Sequence, residues 1–233
     1  MTTLNYGDMD VRTEEDPGGT GERFSAMDLS LGFVYANNLT DRFSIGGQFK
    51  VIREEIWHMA ATTAAVDLGV LYFTTNKNLS LGMSISNFGG KMQLAGRDVR
   101  FYSDPDETMY GNNDQIPAMY ELQHWPLPLT FRVGIAANII DTRSLQVKIA
   151  ADALHPSDNS EYINIGGEIG LFEQFFIRGG MRTLFMVDRE GGLSVGAGLK
   201  HAFSPNLKVK IDYGWSDYNR LTYINMLTVS LLY

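Results

Sequence analysis

Along most of this chain apolar residues occupy every second position, and that alternation constrains the fold more than any other feature. Leu193, Val195, Ala197, Leu199, His201 and Phe203 alternate with Ser194, Gly196, Gly198, Lys200 and Ala202. Leu207–Trp215, Leu145–Ala153 and Leu129–Ala137 repeat the pattern. Successive side chains of a strand point to opposite faces, so each run predicts a strand with one apolar and one polar face. Similar runs lie at Met27–Tyr35, Phe43–Val51, Val66–Tyr72, Leu79–Ile85, Ile163–Leu171, Ile177–Phe185 and Leu227–Tyr233. With a strand near Thr3–Met9 the total is about twelve, most of them close to the ~10 residues of a tilted membrane strand. Helical periodicity is nowhere sustained.

The connections alternate in length. Short polar turns are expected at Leu39–Arg42, Thr75–Asn78, Ile140–Ser144, Phe172–Gln174 and Ser204–Asn206. Longer links are expected at Val11–Phe24, Arg53–Thr62, Gly89–Pro126, Leu154–Glu161, Met186–Gly192 and Ser216–Thr222. A meander with tight turns at one end and loops at the other has the asymmetry of outer-membrane barrels. Aromatic residues sit near strand ends on the apolar face: Phe43, Tyr72, Phe131, Phe185, Phe203, Tyr213, Trp215 and the terminal Tyr233. Rings placed so read as interfacial girdles. A soluble sandwich or lipocalin-like barrel uses the same period with its faces reversed, but about twelve strands enclose more space than apolar side chains fill in a lipocalin-sized barrel. The expected fold is therefore all-β, an antiparallel up-and-down transmembrane barrel in one domain over residues 1–233, in contact with outer-membrane lipid.

Composition removes other classes. The formal charge of −8 argues against nucleic acid as a partner, and the absence of cysteine excludes disulfide scaffolds and thiolate metal sites. No stretch approaches the ~20 apolar residues of a membrane-spanning helix. Met1–Asp10 carries neither the basic nor the apolar run of a secretory signal.

On the polar face, charges should pair across strands. Setting Leu171 opposite Phe175 places Glu168 opposite Arg178 and Asn164 opposite Arg182. Setting Ile139 opposite Leu145 places Arg132 opposite Asp152 and Ala136 opposite Lys148. The same arithmetic sets Lys200 against Lys210, an unfavourable pair that Asp212 could offset diagonally. An internal salt-bridge lattice is the preferred reading of these residues over a charged channel lining.

No motif supports catalysis. None of the four histidines has metal-ligand spacing. The one compact Ser-His-acid set, His155 with Ser157 and Asp158, lies in a proline-containing loop. A non-enzymatic protein without cofactor or metal is expected. The acidic loop Ser103–Asp114 offers carboxylates and amides suited to calcium but lacks the EF-hand spacing, so a solvated loop is the default. The link Gly89–Pro126 is too long for a simple turn. It is expected to constrict or cap the barrel, or to contact a partner through Asp104, Asp106, Glu107, Tyr110, Asp114 and Trp125.

Several stretches together resemble the PorV/PorQ family of bacterial outer-membrane proteins, grouped with FadL-type barrels. They are Gly19–Ile52, Ala64–Tyr72, Ser84–Gly90, Leu127–Ala136, Asp152–Glu168, Phe176–Arg182 and Gly191–Lys200. The most specific part is D-x-x-H-P-x-D-N from Asp152, followed by N-x-G-x-E at Asn164–Glu168 and I-R-G-G at Ile177–Gly180. The resemblance implies a barrel of about fourteen strands, of which this chain is expected to lack the N-terminal part. It also implies a non-enzymatic role as a cargo-binding shuttle of type IX secretion, with secreted-protein cargo or secretion-system components as partners. A FadL-like transporter of hydrophobic small molecules is the alternative. Its ligand would need an apolar pocket, for which Phe176, Leu184, Leu71 and Phe73 are the candidates on the polar-face register.

Overall fold

The computed structural model describes residues 1–75, 78–105, 108, 115–186, 191–204, 207–219 and 222–232. Alternating sequence becomes strand throughout: β1 (Thr2–Asp10), β2 (Arg23–Thr40), β3 (Phe43–Ile56), β4 (Met59–Phe73) and β5 (Leu79–Gly89). The described part of the long link holds five short strands, β6 (Lys91–Met92), β7 (Ala95–Gly96), β8 (Arg100–Ser103), β9 (Ile116–Met119) and β10 (Trp125–Pro126). The meander resumes with β11 (Thr130–Asp141), β12 (Leu145–Pro156), β13 (Tyr162–Leu171), β14 (Phe175–Leu184), β15 (Leu193–Ser204), β16 (Leu207–Asp217) and β17 (Tyr223–Leu232). Pairing runs β1-β2-β3-β4-β5-β11-β12-β13-β14-β15-β16-β17, an up-and-down order, with β7 added on β4. Among the described residues no helix is long and apolar enough to cross a membrane.

The two faces differ as the period demands. In β15, Leu193, Val195, Ala197 and Leu199 are exposed, while Ser194, Gly196, Gly198 and Lys200 are half-buried. Leu227 is 72% exposed, whereas Ser216, on the polar register, is 4% exposed. A water-soluble sheet would bury the leucines. Here the apolar face is the uncovered one, which is the arrangement of a sheet in lipid. Of the girdle residues, Tyr72, Phe131, Phe185, Phe203 and Tyr213 are exposed, while Phe43 and Trp215 are half-buried; Tyr233 lies outside the described residues.

Contacts cluster into two units. The first comprises Met1–Tyr35, Gly47–Asp67 and Asn87–Leu127; the second comprises Ala36–Gly46, Leu68–Ser86 and Pro128–Tyr233. Among the described residues, the one buried apolar cluster lies in the first unit. Met92, fully buried, seats against Ala61 and Ala65 of β4 and against Leu127, with Ile52, Leu94 and Trp125 around them. Ala61 and Ala65 belong to the shielded register of β4, so the start and end of the long link fold back over that face. Two glycines allow the approach. A Cβ on Gly89 would collide with the Ala64 carbonyl, and one on Gly90 would lie 2.7 Å from Thr63 Oγ1. The Gly90 amide donates to the Ala64 carbonyl at 3.1 Å, and β6 pairs with β10 to close the fold-back.

One expected loop is absent. Arg53–Thr62 is strand except for Trp57 and His58, because β3 runs on to Ile56 and β4 starts at Met59. Trp57 takes φ 51° in this tight turn, and its amide donates to Ser25 O at 2.9 Å. The run of Arg53, Glu54 and Glu55 looks like a loop only because its charges mask a strand whose two faces are both polar.

Candidate functional site

Charged side chains on the shielded register form a ladder in the second unit. Glu168 stands directly opposite Arg178, as hairpin arithmetic around the turn requires, and accepts from Arg178 Nε. Arg178 also reaches past β15 to Asp212 on β16, donating from Nη1 at 2.6 Å. Gly198 makes that reach possible: it lies opposite Asp212, and a Cβ there would collide with Asp212 Oδ1. Asp212 takes a second cation, Lys210, at 3.1 Å. The charges therefore alternate Glu168, Arg178, Asp212, Lys210, each carboxylate facing a cation. Phe176 lies beneath the two cations, 5.5 Å from the Arg178 guanidinium carbon and 5.8 Å from Lys210 Nζ.

Two expected registers are corrected. Arg132 faces Leu154, and Asp152 faces Gly134, two places from the expected opposition; Ala136 faces Ala150 and Lys148 faces Asn138. A bulge between Asn138 and Ile140 and a tighter turn, closed by the Thr142 amide on Leu145 O at 3.0 Å, cause the shift. Arg132 still reaches Asp152 diagonally at 3.1 Å, the diagonal being within range of a long side chain. Asn164 does not oppose Arg182, because the β13–β14 ladder shifts between Ile163 and Ile165. Thr183 takes φ 54° there and donates its amide to Asn164 Oδ1 at 2.9 Å. Arg182 instead stacks on Tyr218, 4.6 Å from the ring centroid, and donates to its hydroxyl at 2.8 Å. Lys200 does oppose Lys210, but Asp212 serves Arg178 and Lys210 rather than Lys200.

Beside the ladder the same face carries a depression of about 410 Å3. Gly166, Gly180, Gly196 and Gly214 form its floor, Arg178 and Asp212 stand at one end, and Ser194 and Ser216 lie at the other. The two serines bond to each other at 2.9 Å. The four expected apolar candidates do not gather in it. Phe176 is under the cations, Leu184 faces Ile163 at the loop end, Leu71 is exposed, and Phe73 lines a separate, mostly polar hollow with Asn38, Asp41 and Arg42.

In the first unit the shielded register is closed up instead. Lys50 Nζ donates to Asp67 Oδ2 at 2.7 Å and to Asn87 Oδ1 at 2.6 Å, and the Asn87 amide donates to Asp67 Oδ1 at 2.7 Å. Asn87, at φ 63°, is where β5 turns toward the fold-back. Among the residues expected to meet a partner, Trp125 packs on the Met92 core. Asp104 is exposed in the described part of the loop, and Asp106, Glu107, Tyr110 and Asp114 lie outside the described residues. The paired strands β8 and β9 expose apolar surface beside the acidic stretch. Tyr102, Met119 and Tyr120 are exposed, and Phe101 stacks on Tyr120 at 4.5 Å.

The compact histidine set does not assemble as a nucleophile with its base. His155 Nδ1 bonds Glu161 Oε1 at 3.0 Å, and the Ser157 amide is spent on Leu129 O. The Glu161 carboxyl is held below its ordinary value, first by its own backbone amide and then by His155.

No family model matches the chain. No curated protein matches it. Among solved structures it is similar to the Pseudomonas putida toluene transporter TodX, at 12% identity over 91% of this chain and 70% of that one, with a TM-score of 0.52. It is also similar to a Pseudomonas aeruginosa FadL homologue, at 13% identity over 99% of this chain and 71% of that one, with a TM-score of 0.50. The fold is thus that of FadL-type outer-membrane barrels. With its uncovered apolar face, it agrees with a location in the bacterial outer membrane.

Proposed function

We propose that the chain is an outer-membrane channel protein for small apolar molecules, in line with the FadL-type fold. The observation that carries this reading is the glycine-floored depression beside a self-neutralised ladder. Ligand sites combine mostly apolar surface with a few placed polar groups. In this depression the glycine floor and Met226 supply the former, and Arg178, Asp212 and the serine pair supply the latter. Pairing within the ladder lowers the cost of drying these charges when an uncharged solute lies beside them. Intact cells of a Gram-negative host expressing the chain should take up radiolabelled toluene faster than cells with an empty vector. Gly214→Phe, which fills the depression, should remove most of the gain. Equal uptake with and without the protein would sink the proposal.

A second reading, partner binding of the PorV kind, draws on the exposed rings of the β8–β9 hairpin. Under it, a secreted-protein cargo docks against Tyr102, Met119 and Tyr120. Replacing these three by serine should abolish cargo capture and leave the strands folded. Unchanged capture removes this reading.

A further inference from the structure

Lys200 and Lys210 stand directly opposite each other on the shielded face, and β15–β16 brings Lys208 to the same register one pair further on. Like charges set opposite each other across two strands destabilise the pair. Lys210 is compensated by Asp212, but that carboxylate is already shared with Arg178. Lys200 and Lys208 make no ion pair among the described residues. This part of the face thus holds Arg178, Lys200, Lys208 and Lys210 against Glu168 and Asp212, in a chain whose formal charge is −8. Hydroxyls complete the surround: Ser230 lies opposite Lys210, and Thr228 opposite Asp212. Gly198, beside Lys200 on β15, adds no side chain to cover the ammonium.

Like charges opposed on a face whose ladder carboxylates, Glu168 and Asp212, are both committed break the local consistency found elsewhere in the sheet, and such breaks mark functional positions. We infer that Lys200, Lys208 and Ser230 form a binding site for an oxyanion, a phosphate or carboxylate group, at the tight-turn end of β15–β17. The bound group takes charge-assisted hydrogen bonds from the two ammonium groups and relieves their repulsion of Lys210. The site does not depend on the channel reading.

The test is the urea midpoint of the full chain in detergent micelles, with inorganic phosphate compared against chloride at equal ionic strength. A ligand that binds only the folded state raises the midpoint. Phosphate should raise it for the unaltered protein. Lys200→Gln should raise the midpoint without phosphate, because a repulsion is gone, and weaken the apparent phosphate affinity about tenfold or more. Lys208→Gln should weaken it as well, and keeps the test decisive if Lys200→Gln fails to assemble. Octyl phosphate separates the sources: protection by it alone assigns the site to the head of an amphiphile, and protection by both assigns it to free oxyanions. If neither phosphate differs from chloride, or if Lys200→Gln responds as the unaltered protein does, the inference is overturned. Loss of toluene uptake alone would leave it standing, since no transport enters the measurement.

Discussion

The shielded faces of the two units share one alternating pattern and are filled in opposite ways. In the first unit the chain itself does the filling: Met92, Leu127 and Trp125 fold onto the small side chains of β4, and Lys50, Asp67 and Asn87 close on one another. In the second unit the face is occupied by long charged side chains interleaved with glycines, which leaves a depression and an excess of lysine. Period 2 decides which residues look inward but not what meets them there. Alanine at the inward positions of β4 leaves room for another segment. Glycine next to arginine on β13–β16 leaves room for a side chain to cross a strand and for a solute to lie beside it.

The sharpest way to break the contrast is Arg178→Leu. It leaves Glu168 without its cation and Asp212 with Lys210 alone on a shielded face, and removing one member of a buried pair is costly; allowing for partial exposure, a loss of about 3 kcal/mol in urea stability is expected. Met92→Ala probes the other filling. It empties a fully enclosed site and should cost about 2–3 kcal/mol by the same measurement. Its signature is faster proteolysis within 89–127, and equal protection before and after would show that Met92 does not hold the link down. Lys50→Gln keeps a donor for Asn87 but leaves Asp67 without its cation; about 1–2 kcal/mol is expected, less than at Arg178 because one carboxylate rather than two loses a contact. Smallest is His155→Ala, at an exposed pair outside both fillings. The lowered Glu161 value gives stability that is present above the ordinary glutamate range and lost as pH falls through the lowered value. The variant should move the Glu161 titration midpoint upward by carboxyl NMR without a measurable change in the urea midpoint at pH 7. A changed midpoint there would mean that the pair matters more than its exposure allows.

Strands and faces were legible in the sequence because alternation is a local property. The Glu168–Arg178 contact followed from counting residues around a three-residue turn. The same counting failed at Arg132 and at Asn164, where a bulge and the left-handed Thr183 depend on backbone choices that no side-chain pattern announces. The diagonal open to Asp212 and Lys200 goes unused for a different reason. The main partner of Asp212 sits two strands away, and the contact exists only because Gly198 lies between them. The inward fold of the long link was one of several options, since Gly89 and Gly90 signal a close approach without naming what is approached. Composition likewise points to the acidic residues of that link, whereas the exposure of Tyr102 and Tyr120 depends on how β8 and β9 pair.

The floor of the depression is uneven in what it tolerates. A Cβ on Gly180 would come within 2.7 Å of Ile165 O, and one on Gly196 within 2.9 Å of Tyr213 O, both backbone atoms that cannot step aside. On Gly214 the nearest obstacle is the end of the Met226 side chain at 3.9 Å. The floor therefore differs in freedom from place to place: Gly180 and Gly196 are locked by the sheet, a Cβ on Gly166 would just touch Gly179 O at 3.4 Å, and Gly214 is the most open. A single codon therefore acts as a size dial. Alanine, valine or phenylalanine at position 214 would grade the width of the depression in steps while the strands keep their register, so that descendants of this chain have a short mutational path to a different choice of solute.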